Sequence, residues 1–460
     1  MSPTAPQPGL TRALFAHAGP ILIAQLASMS TTIVDTVISA RVSTVDLAAV
    51  GIGAGLYISV ALAAAGVVQG LTPIAAHQVG AKQFDRLPAT FQQGAWLCLF
   101  LSAIAMLILL TPGWMLEANS VAPEVAARTR IYLAVQALGL PGMLVYRASG
   151  GMLNALGRPR ALMFLGLTNA ASHALLAPAL AFGWLGLPAL GAVGCAASSA
   201  INTTMLALLG LAYLQRSGAS AHLHLLRGWR GPKWSLLREH LKLGLPIGMS
   251  MFVEMSSFAL IGLLVASLGA EAVGANRLLG NFAGACYMLP LSVSIATLTL
   301  VGQAAGAGDW ARVRRAALTG LCLGGTIATI VGIVFYLLSG PLVRSFVPDT
   351  GVQKVALSLV ALIAFYQLFD AIQTISAQAL RGLKITTGPM IGHIVSFWGV
   401  GLAGGWWLCY HGWSAPLGLA GFWIAAVGSS LLASILFGSM LWSRLNETRK
   451  GAAHGYSART

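Results

Sequence analysis

Three carboxylates stand where a polypeptide normally excludes them. Asp35 lies in STTIVDTVIS (30–39), Glu254 in GMSMFVEMSSF (248–258) and Asp370 in FYQLFDAIQT (365–374), each well inside an apolar run long enough to cross a membrane. An ionised carboxylate at the bilayer centre costs about 2.5–3.5 kcal/mol on insertion scales. The sequence places no Lys or Arg at a comparable depth to pair with them. Each acid must therefore be protonated, hydrated or bound to a mobile cation. Their neighbours sharpen this reading. Gln25, Ser28, Thr32, Asp35 and Ser39 recur at three- and four-residue steps, which puts them on one face of a helix. Gln367, Asp370, Thr374, then Ala377 or Gln378, and Arg381 form a second stripe, with Arg381 expected at the cytoplasmic surface. Glu254 has Ser250 one turn before it and Ser257 and Phe258 one turn after. Oxygen ligands beside a carboxylate suit a hard cation, and a desolvated carboxylate suits a proton equally. The plain alternative for any one acid is a protonated side chain bonded across a helix interface; three together favour cation exchange. His173 in LTNAASHALL and His393 in MIGHIVSFWG are either proton carriers or hydrogen-bonded packing residues.

The elements that must position these groups are membrane helices. The chain has 460 residues, of which 57% are apolar and 8% charged, a composition that must face lipid. The formal charge of +15 suggests an acidic partner at first. The basic residues, however, punctuate the apolar runs and form no basic domain, so no nucleic-acid partner is expected. Cys98, Cys195, Cys286, Cys322 and Cys409 all lie in apolar segments without CxxC spacing, which argues for packing and against disulfides or a zinc site. MSPTAPQPGLTR leads into a long apolar stretch with no small-residue cleavage site and is expected to precede a retained first helix. Dividing the sequence at its charges, Gly and Pro gives twelve runs of roughly 20 residues, the length a bilayer core of about 30 Å requires. Alternating sides leaves only Arg41, Arg128, Arg130, Arg277, Arg344 and Lys354 away from the termini, which predicts cytoplasmic termini.

The two halves also match each other. Pro20 pairs with Pro246, VGAKQFDR (79–86) with AGAGDWAR (305–312), MLNALG (152–157) with ALRGLK (379–384) and LGAVG (190–194) with LGLAG (417–421), all at an offset of 226 or 227 residues. The expected fold is an all-α polytopic membrane protein with twelve transmembrane helices in two six-helix lobes. An even helix count per copy relates the lobes by a pseudo-two-fold axis along the membrane normal. The boundaries are 1–216 for the N-lobe, 217–234 for a basic cytoplasmic linker and 235–460 for the C-lobe.

At this point the residues carry a family likeness. PILIAQLASMSTTIVDTVISARVSTVDLAAVGIG (20–53) resembles the first helix and following loop of the multidrug and toxic compound extrusion (MATE) family, with the NorM-like branch the best fit. The likeness continues through GLTPIAAHQVGA (70–81), FQQG (91–94), LGLPIGMSMFVEMSSF (243–258) and FYQLFDAIQTISAQALRG (365–382). It implies two lobes around a central cavity and export of amphipathic organic cations, such as dyes and fluoroquinolone-like drugs, in exchange for Na+ or H+. By the same resemblance Glu254, Asp370, Tyr287 and Phe258 match a coupling-cation site in the C-lobe, and Asp35 matches the N-lobe acid. Asp35, Asp349, Asn169 and Gln373 are the candidates for contacting substrate. Asn169 falls where the family has an Asn on helix 5. A second Asn expected one turn later is His173 here, which makes His173 a candidate proton site and inclines the ion preference toward protons.

This reading requires no cofactor beyond the coupling ion and predicts a monomer surrounded by membrane lipids in a bacterial inner membrane. A flippase for lipid-linked saccharides shares the architecture, but would line its path with Arg or Lys for pyrophosphate where this chain places acids. A membrane-embedded enzyme would need a clustered nucleophile and base or a metal-binding set, and no HExxH, DDxxD or GxSxG occurs. No enzymatic activity is therefore expected.

Overall fold

A computed structural model describes residues 9–113, 122–186, 188–217, 221–412 and 414–453. The polar residues 1–8 and the linker residues 218–220 lie outside the described residues. In chain order the long helices are α1 (Leu10–Val42), α2 (Thr44–Gly80), α3 (Phe84–Leu110), α4 (Pro123–Leu138 and Leu140–Ala155), α5 (Pro159–Phe182) and α6 (Ala192–Arg216). They continue as α7 (Trp234–Leu268), α8 (Ala270–Gly306), α9 (Trp310–Phe346), α10 (Thr350–Gly382), α11 (Thr387–His393, Ile394–Gly404 and Gly405–Tyr410) and α12 (Leu419–Glu447). Among the described residues there is no strand.

Ten of these helices are each long and apolar enough to span a membrane. The two halves of α4 make an eleventh span, bent by 43°. Pro141, just past the break, has no N–H and its ring crowds the preceding turn. The twelfth, α11, is continuous helix, but its middle segment Ile394–Gly404 is wound as a π-helix. That segment is followed at once by α-helix, so the register changes twice within one span. Side-chain carboxylates start several helices. Asp46 and Ser43 cap α2 reciprocally: the Asp46 N–H donates to Ser43 Oγ at 2.9 Å and the Ser43 hydroxyl to Asp46 Oδ2 at 2.6 Å. Asp309 accepts from the Arg312 N–H at the start of α9, and Asp349 from the Val352 N–H at the start of α10.

The helices form two compact units. One runs from Gly19 to Gly248; the other holds Met249 onward together with α1 as far as Ala18. The changeover in α1 lies beside Pro20 and that in α7 lies just after Pro246, the two prolines that the internal offset pairs. In the first unit, the initial part of α7 packs backbone to backbone against α2. A Cβ on Gly244 would collide with the Val67 carbonyl, and one on Gly248 would come within 2.8 Å of the Ala63 carbonyl. Only glycine lets two helices approach this closely. In the second unit, Leu14 and Ala18 of α1 join a buried cluster with Val293 and Ala296 of α8, Ile375 of α10 and Phe437 of α12.

The first unit also holds the linker. Gln92 donates to the carbonyls of Leu225 and Arg227 and accepts from the Arg230 N–H; Gln93 donates to the Gly231 carbonyl and accepts from the Lys233 N–H. The indole of Trp96 donates to the Arg230 carbonyl at 2.9 Å. Both glutamines are 1% exposed. The FQQG motif is thus a clamp whose side-chain amides stand in for a second backbone strand along residues 225–233.

Candidate functional site

The acids fall into two clusters, one in each unit. In the first, α1 presents Asp35, α5 presents His173 and α6 presents Ser198 and Asn202. His173 Nε2 lies 2.8 Å from Asp35 Oδ1. The imidazole is nearly enclosed, at 2% side-chain exposure, whereas Asp35 keeps 17%. On its far side, His173 Nδ1 is 3.0 Å from Ser198 Oγ and 3.4 Å from Asn202 Nδ2. An amide nitrogen only donates, so Nδ1 accepts, and Nε2 carries the hydrogen that it donates to Asp35. The Asn202 amide is oriented in turn by the Ser172 hydroxyl, which donates to its Oδ1 at 2.6 Å.

This arrangement sets an imidazole against a carboxylate, with a hydroxyl and an amide on the far side of the ring. Asn169 stands one turn before His173, and its side chain is half-buried.

The second cluster is built on α10. Gln373 Nε2 donates to Asp370 Oδ1 at 3.0 Å and to Thr374 Oγ1 at 3.1 Å. Thr374 Oγ1 is 3.3 Å from the Tyr287 hydroxyl of α8. One turn earlier, Gln367 donates to the Ala283 carbonyl at 2.9 Å, which fixes α10 against α8. Asp370 is 3% exposed and Gln373 1%. Glu254 of α7 lies within electrostatic reach of Asp370, and Tyr287 within reach of both acids. Glu254 also lies within electrostatic reach of Arg381. Phe258 stands one turn after Glu254 on α7. Its ring meets Phe397 of α11 edge-on at 6.3 Å and is 41% exposed.

Arg381 and Asp349 stand at the two ends of α10, and only Arg381 departs from the position expected of it. Arg381 does not sit at the surface. It is 7% exposed, its Nη1 donates to Gln378 Oε1 at 3.4 Å, and its charge reaches Glu254. The end of α10 is covered because Gly382 packs on the backbone of Leu298 in α8. The C-terminal acids therefore have a buried cation nearby. Asp349, at the other end of α10, is exposed and spends its carboxylate on the helix cap. At a rise of about 1.5 Å per residue it is roughly 30 Å from Asp370. Ser198 and Asn202 escaped the sequence reading, although their four-residue spacing in SSAINTT is a polar stripe of the same kind as that on α1.

With this geometry in hand, known proteins place the chain. A family model, MatE, matches residues 20–179 and 246–407, one segment in each half. A probable multidrug resistance protein NorM of Aromatoleum aromaticum is 46% identical over 442 residues, covering 95% of this chain and 96% of the relative. The multidrug resistance protein NorM of Aliivibrio fischeri is 32% identical over 432 residues, covering 94% of each. Among solved structures, a eukaryotic MATE transporter aligns with a TM-score of 0.84 at 18% identity over 96% of this chain and 98% of that one. A MOP superfamily transporter from Pyrococcus furiosus aligns with a TM-score of 0.86 at 17% identity over 96% and 97%. These distant structures share the fold, and the twelve-helix architecture expected from the sequence agrees with them. The chain belongs to the MatE family of multi-pass membrane transporters.

Proposed function

We propose that this protein is a proton-coupled multidrug antiporter that exports amphipathic organic cations, dyes and fluoroquinolone-like drugs among them, across a bacterial inner membrane with both termini cytoplasmic. The relatives named as multidrug resistance proteins support the substrate class. The Asp35–His173 pair is the observation that carries the choice of proton. Its second supporting feature is the pair of buried hydrogen-bonding neighbours able to serve both charge states of the ring.

The mechanism is competition for negative charge. A carboxylate that faces an organic cation supplies its counter-charge; the same carboxylate, once protonated, does not. Protons entering from outside neutralise Asp35 and the Glu254–Asp370 group, and the drug leaves outward. Loss of those protons to the cytoplasm restores the charge for the next drug. Each unit of pH gradient supplies about 1.4 kcal/mol per proton, and each 100 mV about 2.3 kcal/mol per net charge moved. The apolar bodies of substrates need no directional bonds, which explains breadth of selectivity.

Asp35→Asn, Glu254→Gln and Asp370→Asn should each abolish ethidium efflux from cells while leaving the amount of protein in the membrane unchanged. Wild-type efflux in all three variants would refute the mechanism.

A further inference from the structure

His393 is buried in an apolar box. It is 3% exposed, its ring lies 4.8 Å from Phe437 of α12 in an edge contact and 5.6 Å from Phe397 one turn along α11. Its one side-chain hydrogen bond joins Nε2 to Gln373 Oε1 at 3.2 Å. Because the partner is a carbonyl oxygen, Nε2 must be the protonated nitrogen. That bond joins the ring to the Gln373 amide, a contact that Phe or Leu in this box would not make.

The amide has two orientations. In the one observed, its nitrogen donates to Asp370 Oδ1 and Thr374 Oγ1 while its oxygen accepts from His393. In the reverse one, its oxygen would face a carboxylate oxygen and its N–H groups would face the N–H of His393. Asp370 disfavours the reverse orientation, and His393 adds a partner for the amide oxygen in the observed one. We infer that His393 is a positioning residue of the C-terminal acid cluster: its hydrogen bond to Gln373 Oε1 holds the amide nitrogen on Asp370 Oδ1, so that the coupling cation is taken at the other carboxylate oxygen. His393 thus acts on Asp370 through Gln373 and touches neither coupling cation nor drug. It is also the last residue before α11 turns from α-helix into the π segment, where the wider turn is available to aim the ring. The charge that reaches His393 is that of Arg381, while Asp370 accepts a hydrogen bond from Tyr366 and lies within electrostatic reach of Glu254 and Tyr287.

The inference rests on Asp370 being a coupling acid, and its test is separable from that of the proton itself. In proteoliposomes, ethidium efflux is measured under whichever cation gradient drives the wild-type protein. His393→Phe, which fits the aromatic box, should slow efflux by about tenfold with an unchanged amount of folded protein, the scale of one buried hydrogen bond. His393→Gln, which returns an N–H near Nε2, should restore at least half of the wild-type rate. Gln373→Leu combined with His393→Phe should be no slower than Gln373→Leu alone, because both changes break one line of contact. Wild-type efflux by His393→Phe, equal loss in His393→Gln, or multiplied losses in the double variant would each overturn the inference. A wild-type protein that ignores a pH gradient would overturn only the proton reading.

Discussion

At the scale of single residues, His173 standing against Asp35 is the decisive contact. The two are 138 residues apart in sequence, yet the ring nitrogen and carboxylate oxygen are 2.8 Å apart. A hydrogen bond to a charged group contributes about 1.5–3 kcal/mol. His173→Leu should therefore slow efflux by roughly ten- to a hundredfold and, by removing the N–H from Asp35, make transport respond to sodium, whereas the proposed proton coupling gives the wild type no such response. Initial rates of ethidium efflux in sodium and in choline buffer check this; a His173→Leu protein with wild-type rate and no sodium response would remove the ring from the mechanism. Much of this site was legible beforehand. Asp35, Glu254 and Asp370 declare themselves by cost, since an acid inside a lipid-length apolar run needs a reason. Their partners did not. Helical spacing says which residues share a face, not which face meets which helix, so Ser198 and Asn202 stayed hidden. Depth was misjudged too: Arg381 follows the α10 stripe to its end, but α8 covers that end.

At the scale of elements, hydropathy and proline positions located the helices, because lipid forces every backbone N–H and C=O into intrahelical bonds. The change of register in α11 could not be read in this way, since a π segment and an α segment of IVSFWGVGLAG have the same composition. The FQQG clamp was visible only as a motif. Its physical content is that two buried amides and an indole hold residues 225–233. Each such bond contributes about 1 kcal/mol net. Gln92→Ala combined with Gln93→Ala should release the linker and speed tryptic cleavage at Arg227, Arg230 and Lys233 by at least tenfold in inside-out vesicles. Cleavage at the wild-type rate would mean that the segment is held by something else.

For the whole molecule, the recurring offset of 226 or 227 residues showed a duplication, and the two segments matched by MatE, 20–179 and 246–407, repeat it. Each copy contributes an acid cluster built differently: Asp35 with a histidine, Asp370 with a glutamine. The central claim is that protons and drugs compete for these carboxylates. The most direct test uses purified protein reconstituted in proteoliposomes loaded with ethidium, with a pH gradient imposed at zero sodium and, separately, a sodium gradient imposed at equal pH. The account predicts ethidium movement against its concentration gradient, with proton flux in the opposite direction, under the pH gradient alone. Movement driven by the sodium gradient and indifferent to pH would contradict it.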